Sequence, residues 1–226
     1  MKILVACEES QAVCIAFRNK GHKAYSCDIQ ECSGGHPEWH IVNDVIKIIE
    51  GGYFNTQNGD LHQVWEWDLM IAHPPCTYLS YVGNSWFNID KYGIKSRERH
   101  KQRIKALEFF CSLWWCNIPK ICIENPRGYV ANYIKPTQLI HPYYYGDSAT
   151  KATLLWLKNL PPLMHSKTDS LFEAKTHVYK GEMRKDGSGS LSHHGNEIWS
   201  LPDAERKKIR SKTFPGIAQA MADQWG

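Results

Sequence analysis

The chain has 226 residues, 42% of them apolar, and a formal net charge of +4, enough for one substantial core and short for two. No stretch approaches the ~20 consecutive apolar residues of a membrane span, and Met1-Lys-Ile-Leu-Val is too short and too soon polar for a signal peptide. Residues 1–68 hold five Lys/Arg and ten Asp/Glu, whereas residues 69–226 hold twenty-two and thirteen; this split fits a cation-binding half joined to a polyanion-binding half, or an ordinary solvated surface.

Lys2–Ala6 reads as a buried first strand. Ser10 is placed to cap a helix running to about Lys20, with Val13, Ala16 and Phe17 on one face and Gly21 at its end. His22–Ile29 is a second strand. Val42–Glu50 reads as a short helix or turn, broken by Gly51-Gly52, and residues 55–64 are polar and loop-like. Trp67–Ala72 is the next strand. Ser96–Cys116 carries the strongest helical pattern, with Ile104, Leu107, Cys111, Trp114 and Trp115 on its apolar stripe. Pro119 follows it, and then the strand Lys120–Ile123.

A further strand is expected at Ala152–Leu157, stopped by Pro161-Pro162. Periodicity is lost from 164 to 200, where Gly187-Ser-Gly-Ser-Leu-Ser-His-His-Gly195 reads as part of an irregular insert. A basic run, Arg206–Lys212, precedes a closing helix from about Phe214 to Trp225. Alternating apolar strands and helices predict an α/β domain with a mostly parallel, doubly wound sheet covered on both faces. Of the eight cysteines, Cys7, Cys27, Cys76 and Cys122 fall in or beside predicted strands, and Cys111 and Cys116 on a helix. That placement points to reduced thiols of a cytosolic protein rather than a disulfide framework.

Ligands of such sheets sit at the C-terminal ends of the strands. There the first turn reads Ala6-Cys7-Glu8-Glu9-Ser10 and lacks a glycine fingerprint. Carboxylates at Glu8 and Glu9 would repel a pyrophosphate, so a dinucleotide cofactor is not expected. They suit a cofactor carrying an ammonium and a sulfonium, such as S-adenosylmethionine; equally, they suit a helix N-terminus with no ligand at all. Asp28, with Ile29 after it, closes the second strand and is placed to accept from ribose hydroxyls. Asp44 is placed to accept from an adenine amino group.

Two further strand ends carry reactive groups. Trp67-Asp-Leu-Met-Ile-Ala-His-Pro-Pro-Cys76 presents a cysteine beyond a Pro-Pro pair, and Lys120-Ile-Cys-Ile ends in Glu124-Asn125-Pro126. A thiol and a carboxyl facing each other across one pocket suit covalent chemistry on a flat, weakly electrophilic ring such as a pyrimidine. A buried structural thiol is the competing reading of Cys76.

These motifs resemble those of the DNA cytosine-5 methyltransferases. Pro74-Pro75-Cys76-x-x-Leu79-Ser80 resembles their nucleophile motif, and Glu124-Asn125-Pro126 their second catalytic motif. Ser211-Lys-Thr-Phe-Pro-Gly-Ile-Ala-Gln-Ala-Met-Ala resembles the segment that completes the donor pocket. The match keeps family order over most of the chain and is nearest to a short, phage- or prophage-encoded group. The resemblance implies a Rossmann-like class I methyltransferase fold in a single domain over 1–226, in the cytoplasm of a bacterial host.

The implied roles are Cys76 as nucleophile and Glu124 as the group that grips the base. Cys7, Glu8, Glu9, Asp28, Ile29, Asp44 and Pro74 would surround S-adenosyl-L-methionine. DNA, duplex or single-stranded, is the implied partner. Residues 91–105 carry seven basic side chains against one Glu, beside the aromatic Tyr78, Tyr81, Trp86 and Phe87. Ser80, Arg97, Arg99, Lys101 and Arg103 are therefore expected to meet DNA, with phosphate contact and base stacking combined.

This sequence departs from the family in three ways. The glycines of the first turn are missing. Lys151 and Thr153 are loose substitutes for the motif that touches the target base. Residues 164–200 are too few for a well-packed recognition domain, so specificity is expected to be low or short, or supplied by a homodimer or another partner. Cys27, Cys32, His36 and His40 have zinc-like spacing, but Cys27 lies inside a strand, and no metal is expected. Two rival functions remain: a catalytically silent nucleic-acid or nucleotide binder on the same fold, and the same chemistry on a free pyrimidine nucleotide.

Overall fold

The computed structural model describes residues 1–147, 149, 151–165, 201–202 and 212–226. In chain order the elements are β1 (Lys2–Ala6), α1 (Ala12–Asn19), β2 (Lys23–Asp28), β3 (His40–Val42), β4 (Gly52–Asn55), β5 (Leu61–Val64), β6 (Leu69–Ala72), α2 (Ile89–Tyr92), α3 (Ile94–Trp114), β7 (Lys120–Pro126), β8 (Gln138–Ile140), β9 (Thr153–Lys158) and α4 (Pro215–Trp225). Seven strands form one sheet in the order β3-β2-β1-β6-β7-β9-β8. The pairs from β3 through β7 are parallel, and β9 runs antiparallel to both neighbours. The structure is thus α/β with a mostly parallel central sheet.

Successive side chains of a strand point to opposite faces, and here both faces are buried. Leu4, Ala6, Met70, Ala72, Ile121 and Ile123 face one core, closed by Phe110 and Leu113 of α3. Ile3, Val5, Leu69, Ile71 and Cys122 face the other, closed by Val13 and Phe17 of α1 and by Ile217, Met221 and Trp225 of α4. Two-sided burial explains why these strands read as unbroken apolar runs. The strand order turns back between β1 and β6, and a crevice at such a switch point is the usual ligand position in an open α/β sheet.

Three sequence expectations are corrected. Residues 55–64 are not simply a loop: β4 and β5 pair as an antiparallel hairpin, with Phe54 opposite His62. Only Phe54 and Val64 of the hairpin turn into the core, so its mean polarity hides it. The helix stripe of α3 is displaced: Arg103, Phe110 and Leu113 are buried, whereas Ile104 and Trp115 are 58% and 74% exposed. Finally, Ser10 does not cap α1. The N-cap residue is Gln11, in a left-handed conformation.

The eight cysteines are thiols rather than disulfides, and among the described residues no helix is long and apolar enough to cross a membrane. The expected insert lies outside the described residues from 166 onward, as does the basic run up to residue 211.

Candidate active site

Strand register puts four of the chemistry-bearing positions in one row. Ala6 is opposite both Cys27 and Ala72, and Ala72 is opposite Ile123. The next residue on each strand path is Cys7, Asp28, His73 and Glu124. Backbone bonds hold the row together, from Cys7 N to Cys27 O at 2.7 Å and from His73 N to Ala6 O at 2.9 Å.

The turn after β1 forms one end of the row. Cys7 and Gln11 have φ of 59° and 61°, a region in which a non-glycine residue carries roughly 1–2 kcal/mol of steric cost. These are turn positions where glycine would be unstrained. Tertiary contacts hold the turn. Gln11 is fully buried, donates to Ser26 Oγ and His36 O, and accepts from His36 N at 3.0 Å. Ser33 N donates to Glu9 O, and Ser33 Oγ donates to Glu9 Oε2.

The two glutamates of this turn part ways. Glu8 is buried and accepts from Val13 N at 2.7 Å and Cys14 N at 3.2 Å. Its carboxylate performs the capping expected of Ser10, because it reaches the unpaired amides of the first helical turn from within. Burial raises the Glu8 carboxyl above its ordinary range, with His73 and the two amides only partly offsetting this. Both its oxygens are engaged by the helix, so the structure does not present Glu8 as a ligand for a donor. Glu9 differs: its Oε1 is buried and without a hydrogen-bond partner.

Asp28 and Asp44 stand near Cys7. Burial raises the Cys7 thiol, and Asp28, Cys27 and Asp44 add to the rise. Asp28 accepts from Gln30 N, and Asp44 caps a helical turn by accepting from Ile46 N at 3.0 Å. Ile29 projects beside them, 77% exposed. An apolar surface flanked by two carboxylates therefore lines the β2–β3 end of the row.

The other end centres on Glu124, whose side chain is 15% exposed. His73 Nδ1 lies 3.1 Å from Glu124 Oε2, and Thr213 Oγ1 lies 3.5 Å from the same imidazole nitrogen. His73 Nε2 is buried without a partner. Burial alone would raise the Glu124 carboxyl, but the His73 hydrogen bond, Lys151 and Thr153 together outweigh it, so it lies below its ordinary value. Glu124 is therefore a held carboxylate. Neither His73 nor Thr213 was singled out from the sequence. A polar residue at the end of an apolar strand was the one signal for His73; Thr213 lies in the segment quoted for its resemblance to the donor-pocket motif, which marked the segment but not the residue.

Cys76 is exposed on the loop after β6, and this loop is tied to the chain beyond Glu124. Asn125 Nδ2 donates to Pro74 O at 2.8 Å, Tyr81 N donates to Arg127 O, and Tyr129 N donates to Leu79 O at 2.6 Å. Ser80 pairs with Gly128 in a β-bridge, and its hydroxyl accepts from Val82 N. A Cβ on Gly128 would lie 2.1 Å from Leu79 O, so only glycine permits this approach. Pro74 itself is buried.

The basic residues of α3 divide by face. Arg97 and Lys101 are exposed, and Lys101 Nζ lies 3.8 Å from Glu98. Arg99 donates to Thr77 O at 3.1 Å. Arg103 is a correction to the expected DNA-facing set: it is only 7% exposed and donates to Tyr78 O at 2.9 Å and Asn84 Oδ1 at 2.7 Å. Its guanidinium also covers the rings of Phe87 and Tyr129. Arg103 shapes the Cys76 loop because its planar fork can satisfy two acceptors at once. Lys151 is half-buried, its Nζ 5.8 Å from the Phe214 ring.

The zinc-like quartet does not converge. Cys27 Sγ contacts Asn43 O, His40 is buried between Ser26 Oγ and Gln30 O, and His36 pairs with Glu38 and stacks on Trp39. Among the described residues no group of His, Cys, Asp or Glu is arranged to hold a metal ion.

No family model and no curated protein sequence matches the chain. Among solved structures, one named as a candidate DNA modification methyltransferase encoded within an E. coli prophage aligns with a TM-score of 0.41 and 12% identity. The alignment covers 69% of this chain, which spans 45% of that protein. Likeness at that level carries no argument about fold or activity.

Proposed function

We propose that this protein is an S-adenosylmethionine-dependent methyltransferase acting on carbon 5 of cytosine in DNA. The observation that carries the reading is the stitching of the exposed Cys76 loop to the chain around Glu124, at the switch point of a mostly parallel sheet. It gives one thiol and one ionised carboxylate to the same edge. In this reading the described part of the chain belongs to one methyltransferase domain.

The chain's residues suit the reaction in a definite order. The Cys76 thiolate adds to carbon 6 of the ring, forming an S–C bond and making carbon 5 enamine-like. Carbon 5 would then take the methyl group that a sulfonium donor supplies, the sulfur–methyl bond breaking to leave a neutral thioether. The carbon 5 proton leaves to water, the electron pair returns to the ring, and the S–C bond breaks to free the thiolate. Glu124 accepts from the exocyclic amine and steadies the ring as charge develops on it. Neutral cytosine N3 is an acceptor, so a second contact from Glu124 to N3 requires a proton on the carboxyl. His73, hydrogen-bonded to Glu124, is positioned to exchange that proton.

The residues present fit the donor. The orphaned Glu9 Oε1 suits an ammonium, Asp28 suits ribose hydroxyls, Asp44 suits an adenine amine, and exposed Ile29 suits the adenine face. Cys7 lines the strained turn beside them, and Glu8 supports that turn from behind.

The deciding experiment incubates the protein and a Cys76→Ala variant with donor tritiated on its methyl group. The substrates are cytosine-containing duplex, single strand and dCMP. The reading requires label in DNA that disappears in the variant. DNA binding without transfer would replace it with a silent binder, and label in dCMP alone with a nucleotide enzyme.

A further inference from the structure

The loop that carries Cys76 and the start of α3 line an open cleft of about 380 Å³ that the chemistry above does not use. Its size falls in the range of small-ligand sites. Three walls are aromatic: Tyr78, Trp86 and Tyr92. Trp86 is 55% exposed, and its ring lies 5.0 Å from that of Tyr92 at 32°. More than half of the Trp86 surface stays open beside Tyr92, where a further ring can stack.

The remaining walls are polar in a particular pattern. Arg99 lays its guanidinium 5.0 Å from the Tyr78 ring, donates from Nη2 to Thr77 O, and keeps Nε buried and unpartnered. Lys95 adds a second cation at the rim. Gln102 Nε2 donates to Glu98 Oε1 at 3.1 Å, so an acceptor and an amide stand together on one wall. Aromatic faces, two cations and a paired acceptor–amide edge match the three parts of a nucleotide: base, phosphate and base edge.

We infer that this cavity receives the unpaired base of a nucleotide flanking the target cytosine in a single DNA strand. Its base stacks on Trp86 and Tyr92, its phosphate meets Arg99 and Lys95, and its edge is read by Glu98 and Gln102. A base still stacked and paired in duplex cannot offer its face to these rings, so the site selects strands that are single or locally open. Glu98 accepts hydrogen bonds only, which favours bases with an exocyclic amine and disfavours thymine, whose one edge donor, N3–H, stands between two carbonyl oxygens that the carboxylate repels. The inference rests on the DNA reading above and extends it to the form of DNA and to one flanking position.

The test is binding of short labelled oligonucleotides by fluorescence anisotropy, using the full chain and its Trp86→Ala, Trp86→Phe and Glu98→Gln variants. Single strand should bind more tightly than the same sequence as duplex. Trp86→Ala should weaken single-strand binding about tenfold, as expected for one lost base–aromatic stack, while Trp86→Phe keeps most of it. An abasic residue at the flanking position should produce the same loss in the parent protein and no further loss in Trp86→Ala. Glu98→Gln should erase the preference against thymine there.

Duplex binding as tight as single strand, abasic and Trp86→Ala losses that simply add, or dCMP competing as well as the oligonucleotide would each overturn the inference. The two proposals fail separately. Methyl transfer to DNA with Trp86-independent strand binding sinks only the pocket. Trp86-dependent strand binding without transfer sinks only the enzyme.

Discussion

Replacing Arg103 by Lys separates two roles that the sequence alone does not distinguish. If Arg103 meets DNA phosphate, lysine keeps the charge and most of the function. If it fixes the Cys76 loop, lysine fails, because one ammonium cannot span Tyr78 O and Asn84 Oδ1 as the guanidinium does at 2.9 and 2.7 Å. Hydrogen bonds involving a charged group contribute about 1.5–3 kcal/mol each, and losing the better part of one leaves a half-buried acceptor without its donor. A loss of about 2 kcal/mol follows, or roughly 4–8 °C in Tm for a chain of this size. The assays are thermal unfolding and the alkylation rate of Cys76 by iodoacetamide, identified by peptide mass. Arg103→Lys should lower Tm and change Cys76 reactivity, while Arg97→Ala, exposed on the same helix, should do neither. An Arg103→Lys protein with parental Tm, alkylation rate and DNA binding would refute the structural role.

Glu8→Ala should destabilise the protein by about 1–3 kcal/mol, since two helix amides lose their buried acceptor; in denaturant titration the loss should appear while donor affinity by calorimetry stays within about threefold. Gly128→Ala should destabilise by more than about 2 kcal/mol, because its Cβ would meet Leu79 O, and a parental denaturation midpoint would contradict the close approach. Glu124 has a folded pKa below its ordinary 4.5. Its carboxylate therefore stabilises the fold above about pH 4.5, and that contribution is lost as pH falls through the folded value. The stability difference between the parent and Glu124→Gln should shrink on acidification; a difference constant with pH would remove the His73–Glu124 pairing. Cys7→Val should cost about 1–2 kcal/mol, since a β-branched residue tolerates φ of 59° poorly, and this is read from the same titrations.

Much of the framework was written in local patterns. The apolar runs at β1, β2, β6 and β7, and the extents of α3 and α4, follow from composition and periodicity over short windows. So does the Pro-Pro turn that sets Cys76 beyond a strand. What escaped was local polarity with distant purpose. The β4–β5 hairpin buries only Phe54 and Val64, too few apolar residues for an alternating signal. Arg103 took an inward place on α3 because acceptors on another loop awaited it. Glu8 suited either a ligand or a helix N-terminus, and its bonds to Val13 N and Cys14 N put it with the helix, a choice that depended on how α1 folds back over the turn.

The sequence by itself determined the main strands β1, β2, β6, β7 and β9, the helices α1, α3 and α4, and which side chains stand at those strand ends, because backbone propensity and side-chain period act within a few residues. Only the tertiary structure decided who meets whom. His73 and Glu124 are 51 residues apart, and His73 and Thr213 are 140. Their contacts exist because strand order and register bring these chain segments to one edge. The ionised state of Glu124 is likewise a property of that assembly: burial opposes it, and His73, Lys151 and Thr153, from two other segments, overcome the opposition.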